Sequence, residues 1–149
     1  MRSLPILGFL AANALSASAS AGSITVGAPL ITGDVSIYEG RHTIDHRDLS
    51  PDQLNGISRW LDQHESGWQG IVTPASSEPA DLEVTVKHND GSTTRMSIIA
   101  RSGGGLYLRL TGPGTMAYRS LFGLFRSWAA IRTLSDQELA ALRSQVSTN

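Results

Sequence analysis

The side chains with the widest chemical repertoire crowd into one stretch, Arg41-His42-Thr43-Ile44-Asp45-His46-Arg47-Asp48. Imidazole and carboxylate at short spacing offer lone pairs to a divalent ion. His42, Asp45 and His46, with His64 or Glu65 arriving from further along the chain, could therefore form the centre of a small metal-dependent hydrolase. On an extended backbone His42, Ile44 and His46 would share one face. A closed zinc site wants four ligands, and the stretch supplies few, so a solvated polar connector is the preferred reading. No metal and no other cofactor is expected.

Other catalytic signatures stop short. His64-Glu65 opens like the zinc-protease pattern His-Glu-x-x-His, but Trp68 occupies the position of the second histidine and Gly67 interrupts the helix before it. His64 reads instead as a helix-end histidine whose ring covers the core and meets the last carbonyls. Ser102-Gly103-Gly104-Gly105 is glycine-rich, yet no Lys-Ser or Lys-Thr follows it, and a phosphate cradle needs a helix N-terminus aimed at the ligand. There is no Gly-x-Ser-x-Gly elbow, and with no cysteine in the chain a thiol nucleophile is excluded. No residue is assigned a catalytic role, and the balance leans away from an enzyme.

Binding chemistry is better represented. Leu82, Val84 and Val86 alternate with Glu83, Thr85 and Lys87, a half-buried strand, and Asn89-Asp90-Gly91 turns the chain back. A two-residue loop would set Val86 opposite Arg95 and mix apolar with charged residues on one face. A three-residue loop closed by Gly91 sets Val84 opposite Met96 and Leu82 opposite Ile98, which keeps one face apolar. Leu106, Leu108 and Leu110 join that face from the next strand. The opposite face then carries Glu83, Thr85, Lys87, Arg95, Arg101, Tyr107 and Arg109, with Glu83 and Arg95 close enough to pair. Arginine and tyrosine carry much of the energy of interfaces, and guanidinium forks suit a carboxylate or phosphate. Arg95, Arg101, Tyr107 and Arg109 are the candidate binding residues, and the bland alternative is an ordinary wet sheet face. Trp68 is added to them. Trp60 and Trp128 fall at helical spacing and read as core, whereas Trp68 follows a helix end and should be partly exposed or plug an edge.

The elements that position these residues are marked by two nearly identical helix starts. Ser50 caps a helix with Pro51 in first position and Gln53 reaching back, while Leu49 and Leu54 form a hydrophobic staple. Ser135, Glu138, Leu134 and Leu139 repeat the device. The first helix should run over 51–65 with Leu54, Ile57, Trp60 or Leu61, and His64 on its buried face, and Gly67 should stop it. The last helix should run over 136–145 and bury Leu139, Leu142 and Val146. Between 118 and 131, Tyr118, Leu121, Phe122, Phe125 and Trp128 recur at helical spacing and predict a third helix, with a strand through 128–134 as the competitor. The opening 24–38 reads as one or two strands, and 76–80 as a loop between prolines. The expected class is α+β: an antiparallel β-meander packed against a helix of the N-terminal half, with a helical C-terminal region.

The first 21 residues read as a cleavable export signal. Arg2 supplies the charge, 4–15 the apolar stretch, and Ala19-Ser20-Ala21 a small-x-small cleavage site before Gly22. The apolar run is too short for a membrane span, and 22–149 is of a size to form one domain without disulfide staples. The whole chain has 12 Lys plus Arg against 13 Asp plus Glu. Losing Arg2 takes the formal net charge from −1 to −2, which argues against a dedicated nucleic-acid binder. Lys87 is the sole lysine, an arginine bias that suits a GC-rich bacterial genome. The expectation is a periplasmic or secreted, non-catalytic binding domain. Its partner would be another envelope protein or an anionic ligand, with no nucleic acid and no membrane span after cleavage.

Overall fold

Residues 22–70, 80–100, 105–112, 116–119, 126–127 and 129–147 are described in this computed structural model. The export signal, the 76–79 part of the proline loop, Arg101, the first three residues of the Ser102–Gly105 turn and Trp128 lie outside them.

Alternating apolar and polar residues make this chain mostly antiparallel sheet with two helices. In chain order the described strands are β1 (Gly22–Val26), β2 (Leu30–Glu39), β3 (His42–Asp48), β4 (Ser66–Gly70), β5 (Leu82–His88), β6 (Thr93–Ala100), β7 (Leu106–Thr111), β8 (Met116–Arg119), β9 (Arg126–Ser127) and β10 (Ala129–Leu134). The helices are α1 (Pro51–Gln63), between β3 and β4, and α2 (Asp136–Val146), after β10. Neighbouring strands lie in the order β3-β2-β5-β6-β7-β10-β4-β1-β8-β9, every pairing antiparallel. No helix among the described residues is long and apolar enough to cross a membrane.

The hairpin register is the one that keeps one face apolar. Val84 pairs with Met96 and Leu82 with Ile98, and Gly91 closes the three-residue loop at φ 84°. Because side chains alternate, this register continues across the sheet as two buried rows. Val35, Val84, Met96, Leu110 and Ala130 form one, and Leu82, Ile98 and Leu108 the centre of the next. Leu54, Ile57, Trp60 and Leu61 of α1 and Leu139, Leu142 and Val146 of α2 belong to the same core cluster. Both caps form as the residue types demand. Ser50 Oγ accepts from Gln53 N while Ser50 N donates to Gln53 Oε1, and Ser135 and Glu138 reproduce the pair. His88 is fully buried with both ring nitrogens satisfied, by the Ala28 carbonyl and the Thr94 hydroxyl.

Two expectations are corrected. The helix over 118–131 does not form at the described positions, where β8, β9 and the start of β10 stand instead. The physical reason is pairing: β10 lies between β7 and β4 and satisfies backbone groups on both sides. Ala130 and Leu134 alternate into the core there, a period-two demand that the aromatic spacing upstream conceals. Trp68 is not exposed. It sits in β4 with no accessible surface and donates from Nε1 to the His64 carbonyl at 2.6 Å. The helix before it ends at Gln63, with His64 as its cap, so Gly67 at φ 84° serves β4 rather than the helix end.

Gly33 shows how tightly the α1 entry is fitted. A Cβ there would come within 2.8 Å of the Thr85 carbonyl and 3.2 Å of Leu49 Cδ1, the staple residue. Leu49 N in turn donates to the Gly33 carbonyl. Gly33→Ala is expected to lower unfolding free energy by about 1–3 kcal/mol, measured by urea denaturation. An unchanged midpoint would show that the β2–α1 junction has slack.

Candidate functional site

The face turned away from the apolar rows carries the candidate residues of β5, β6 and β7, and pairing extends it to β2, β3 and β10. One row across it reads His46, Ser36, Glu83, Ser97, Arg109 and Ile131. The next reads Asp48, Asp34, Thr85, Arg95 and Thr111. Glu83 is the hub. Its Oε1 lies 3.3 Å from Arg95 Nε, and its Oε2 accepts from Ser97 Oγ at 3.3 Å. Arg95 keeps 56% of its side chain exposed, where an ion pair adds little stability, so the contact orients the guanidinium more than it holds the fold.

Alternation places Tyr107 on this face, yet Tyr107 is buried at 9%. Ser97 and Ile99, its neighbours on β6, are fully buried. Tyr107 is therefore corrected from a contact residue to a supporting one, and Trp68 leaves the set because it has no accessible surface. Arg95 and Lys87 are exposed, Arg109 is half-buried, and Arg101 lies outside the described residues. At the other end of the face stand Asp34 and Asp48, which the sequence reading did not connect to it. The charge layout is thus acidic at β2–β3, internally paired at Glu83–Arg95, and basic toward Arg109.

The histidine stretch is extended, as β3, but a bulge rearranges its faces. Ile37 pairs with Asp45 and Tyr38 with Thr43, leaving Ile44 as the extra residue. His46 consequently faces Ser36 and Asp34, while His42 falls with Asp45 and Arg47 on the other side. The bulge separates the two histidines. Among the described residues no group of three or more His, Asp or Glu is placed to hold a metal. His46 Nδ1 lies 2.9 Å from Ser36 Oγ and 3.9 Å from Asp34 Oδ1. A serine–histidine–aspartate relay needs the serine at one ring nitrogen and the carboxylate at the other. Here both face the same nitrogen, so the trio cannot pass a proton along the ring.

A second polar cluster joins the ends of four elements. Arg132, at the end of a core row, donates through Nη1 to the Ser66 carbonyl and through Nη2 to Glu138 Oε1 at 2.6 Å. Glu138 also receives the Ser135 backbone N–H and hydroxyl. His64 Nε2 lies 3.6 Å from Glu138 Oε1, its Nδ1 donates to the Trp60 carbonyl at 2.6 Å, and its ring stacks on Trp60. The Ser135 N–H first, then Arg132, pull the Glu138 carboxyl down from 4.5 to about 2. Every strong partner here is structural: the cluster fastens α1 and β4 to β10 and α2.

Comparison with protein-family models, with curated proteins and with solved structures finds no match to this chain.

The lowered Glu138 carboxyl makes a signed expectation. A depressed folded value stabilises above the unfolded value and is lost as pH falls through the folded one. Stability should therefore drop between about pH 4.5 and pH 2. Glu138→Gln should remove roughly 1–2 kcal/mol of that acid dependence, allowing for solvent that reaches the group. Thermal melts of both proteins across that range test it, and parallel acid slopes would contradict it.

Proposed function

We propose that this chain is a non-catalytic binding domain of the bacterial periplasm or secreted fraction, and that it docks another envelope protein on the outer face of its sheet. The observation that carries the reading is the two-ended charge layout of that face. Asp34 and Asp48 stand at one end, Arg95 in the middle and Arg109 toward the other. Continuous strand pairing, from the edge strand β3 inward, holds these charges at fixed spacing. A pattern with both signs spread over several strands suits a folded protein surface of opposite layout better than a single anion, because complementary potentials set register and suppress wrong partners. Ser97, Ile99 and Tyr107 of this face are themselves buried, so docking contacts come from the charges around them. The export signature of residues 1–21 and the arginine bias support the location.

Affinity capture from an envelope extract tests this. The bait is the chain expressed with its first 21 residues in place, so that export and processing are the cell's own. One partner should be retained at low salt and released as salt rises. Arg95→Ala and Asp34→Ala should each weaken its retention several-fold, since both side chains reach solvent. No partner at low salt, or a partner indifferent to salt and to both substitutions, overturns the reading.

A further inference from the structure

On the opposite side of the molecule, where the C-terminal turn of α2 meets β2, β3 and the start of β5, the structure leaves a cavity of about 350 Å³. That is within the range of small-molecule sites. Ile37, Leu82 and Val146 supply its apolar part, with Tyr38 and Ser147 beside them. Arg47 and Arg143 also line it, as does Asp81. Of these, only Tyr38 and Asp81 share the alternation of the outer face.

The two arginines are in different states. Arg47 is anchored: it donates to Asp45 and, through Nη2 at 2.7 Å, to the Val146 carbonyl, one of the acceptors that a helix end leaves unmet. Its Nε is buried and has no hydrogen-bond partner among the described residues, so the group retains donor capacity that the fold does not use. Arg143 lies three residues before Val146 on α2 and shares its face. Its side chain is exposed and forms no hydrogen bond or ion pair among the described residues. One held cation and one available cation thus border an open cleft. Asp81 is fixed at the other side by its backbone, which donates to the Ile98 carbonyl and accepts from Tyr38 N.

We propose that this cavity is a binding site for a small organic monocarboxylate with a compact apolar body. Arg143 supplies the fork for the carboxylate, Arg47 its unmet Nε donor, and Ile37, Leu82 and Val146 take the carbon skeleton. Asp45 already answers Arg47, so Arg143 is the one of the two guanidinium groups left to meet a ligand anion, which suits a single carboxylate. A dianion such as phosphate would also meet the negative end of α2. Phosphate offers the apolar walls nothing.

The test is a titration of the isotope-labelled, exported protein with sodium benzoate at constant ionic strength, followed by amide chemical shifts. Inorganic phosphate and benzyl alcohol serve as parallel probes. Benzoate should give saturable shifts at Ile37, Tyr38, Leu82, Arg143 and Val146. Arg143→Gln, an exposed substitution that leaves the Arg47 anchor intact, should raise its Kd about tenfold. Phosphate and benzyl alcohol should not saturate at the same concentrations. Absence of saturable shifts at these residues, an unchanged Kd in Arg143→Gln, or binding of phosphate or benzyl alcohol as tight as that of benzoate overturns the proposal. None of these outcomes bears on docking through Asp34 and Arg95, neither of which lines the cavity.

Discussion

The loop Asn89-Asp90-Gly91 holds β5 against β6 in one register, and the facing of every side chain in the central sheet follows from it. The loop is closed by several local contacts. Gly91 takes the left-handed conformation, and its N–H donates to the His88 carbonyl. The Asp90 carboxylate accepts from Ser92 N and from Ser92 Oγ, and those bonds hold its pKa below the ordinary 3.8. A slip of one residue would turn Met96 and Ile98 outward and Arg95 and Ser97 into the core. Burying an arginine without a partner costs far more than the loop contacts supply, so core and turn enforce the same register.

The second constraint is how α2 is tied down. At its start Arg132 of β10 holds Glu138, and at its end Arg47 of β3 holds the Val146 carbonyl. β10 and β3 lie on opposite sides of the central strands, so two arginines fix the helix to both flanks of the sheet. Each guanidinium answers a group that a helix end leaves charged or unmet. The cavity lies at this end of α2, lined by Arg143 of its last turn, Val146, and Ile37 and Arg47 of β2 and β3.

Much of this was legible from local chemistry. Both capping boxes could be read because Ser, Gln or Glu and the flanking leucines lie within six residues of one another. The β5–β6 register could be read because only one loop length keeps Val84, Met96, Leu82 and Ile98 on one face. What escaped depends on distant segments. The strand at 129–134 competes with a helix until β7 and β4 are known to lie beside it. Trp68 looks exposed until β4 is paired with β10 and β1. The Ser36–His46 contact needed the β2–β3 hairpin at Gly40 and the bulge at Ile44, neither of which alternation reveals. The outer face was legible as a list of side chains but not as a surface, since the burial of Tyr107 and Ser97 does not follow from alternation. The cavity was invisible because Arg47, Asp81 and Arg143 come from three separated stretches.

Which residues face outward, and hence both functional readings, rests on the β5–β6 register. The most direct measurement is the pattern of cross-strand Hα–Hα and amide contacts between these strands by nuclear Overhauser spectroscopy. The account requires contacts that place Val84 opposite Met96, Val86 opposite Thr94 and Leu82 opposite Ile98. Contacts that place Val86 opposite Arg95 instead would mean a two-residue loop, a mixed core face and a different outer surface, and would contradict the account at its root.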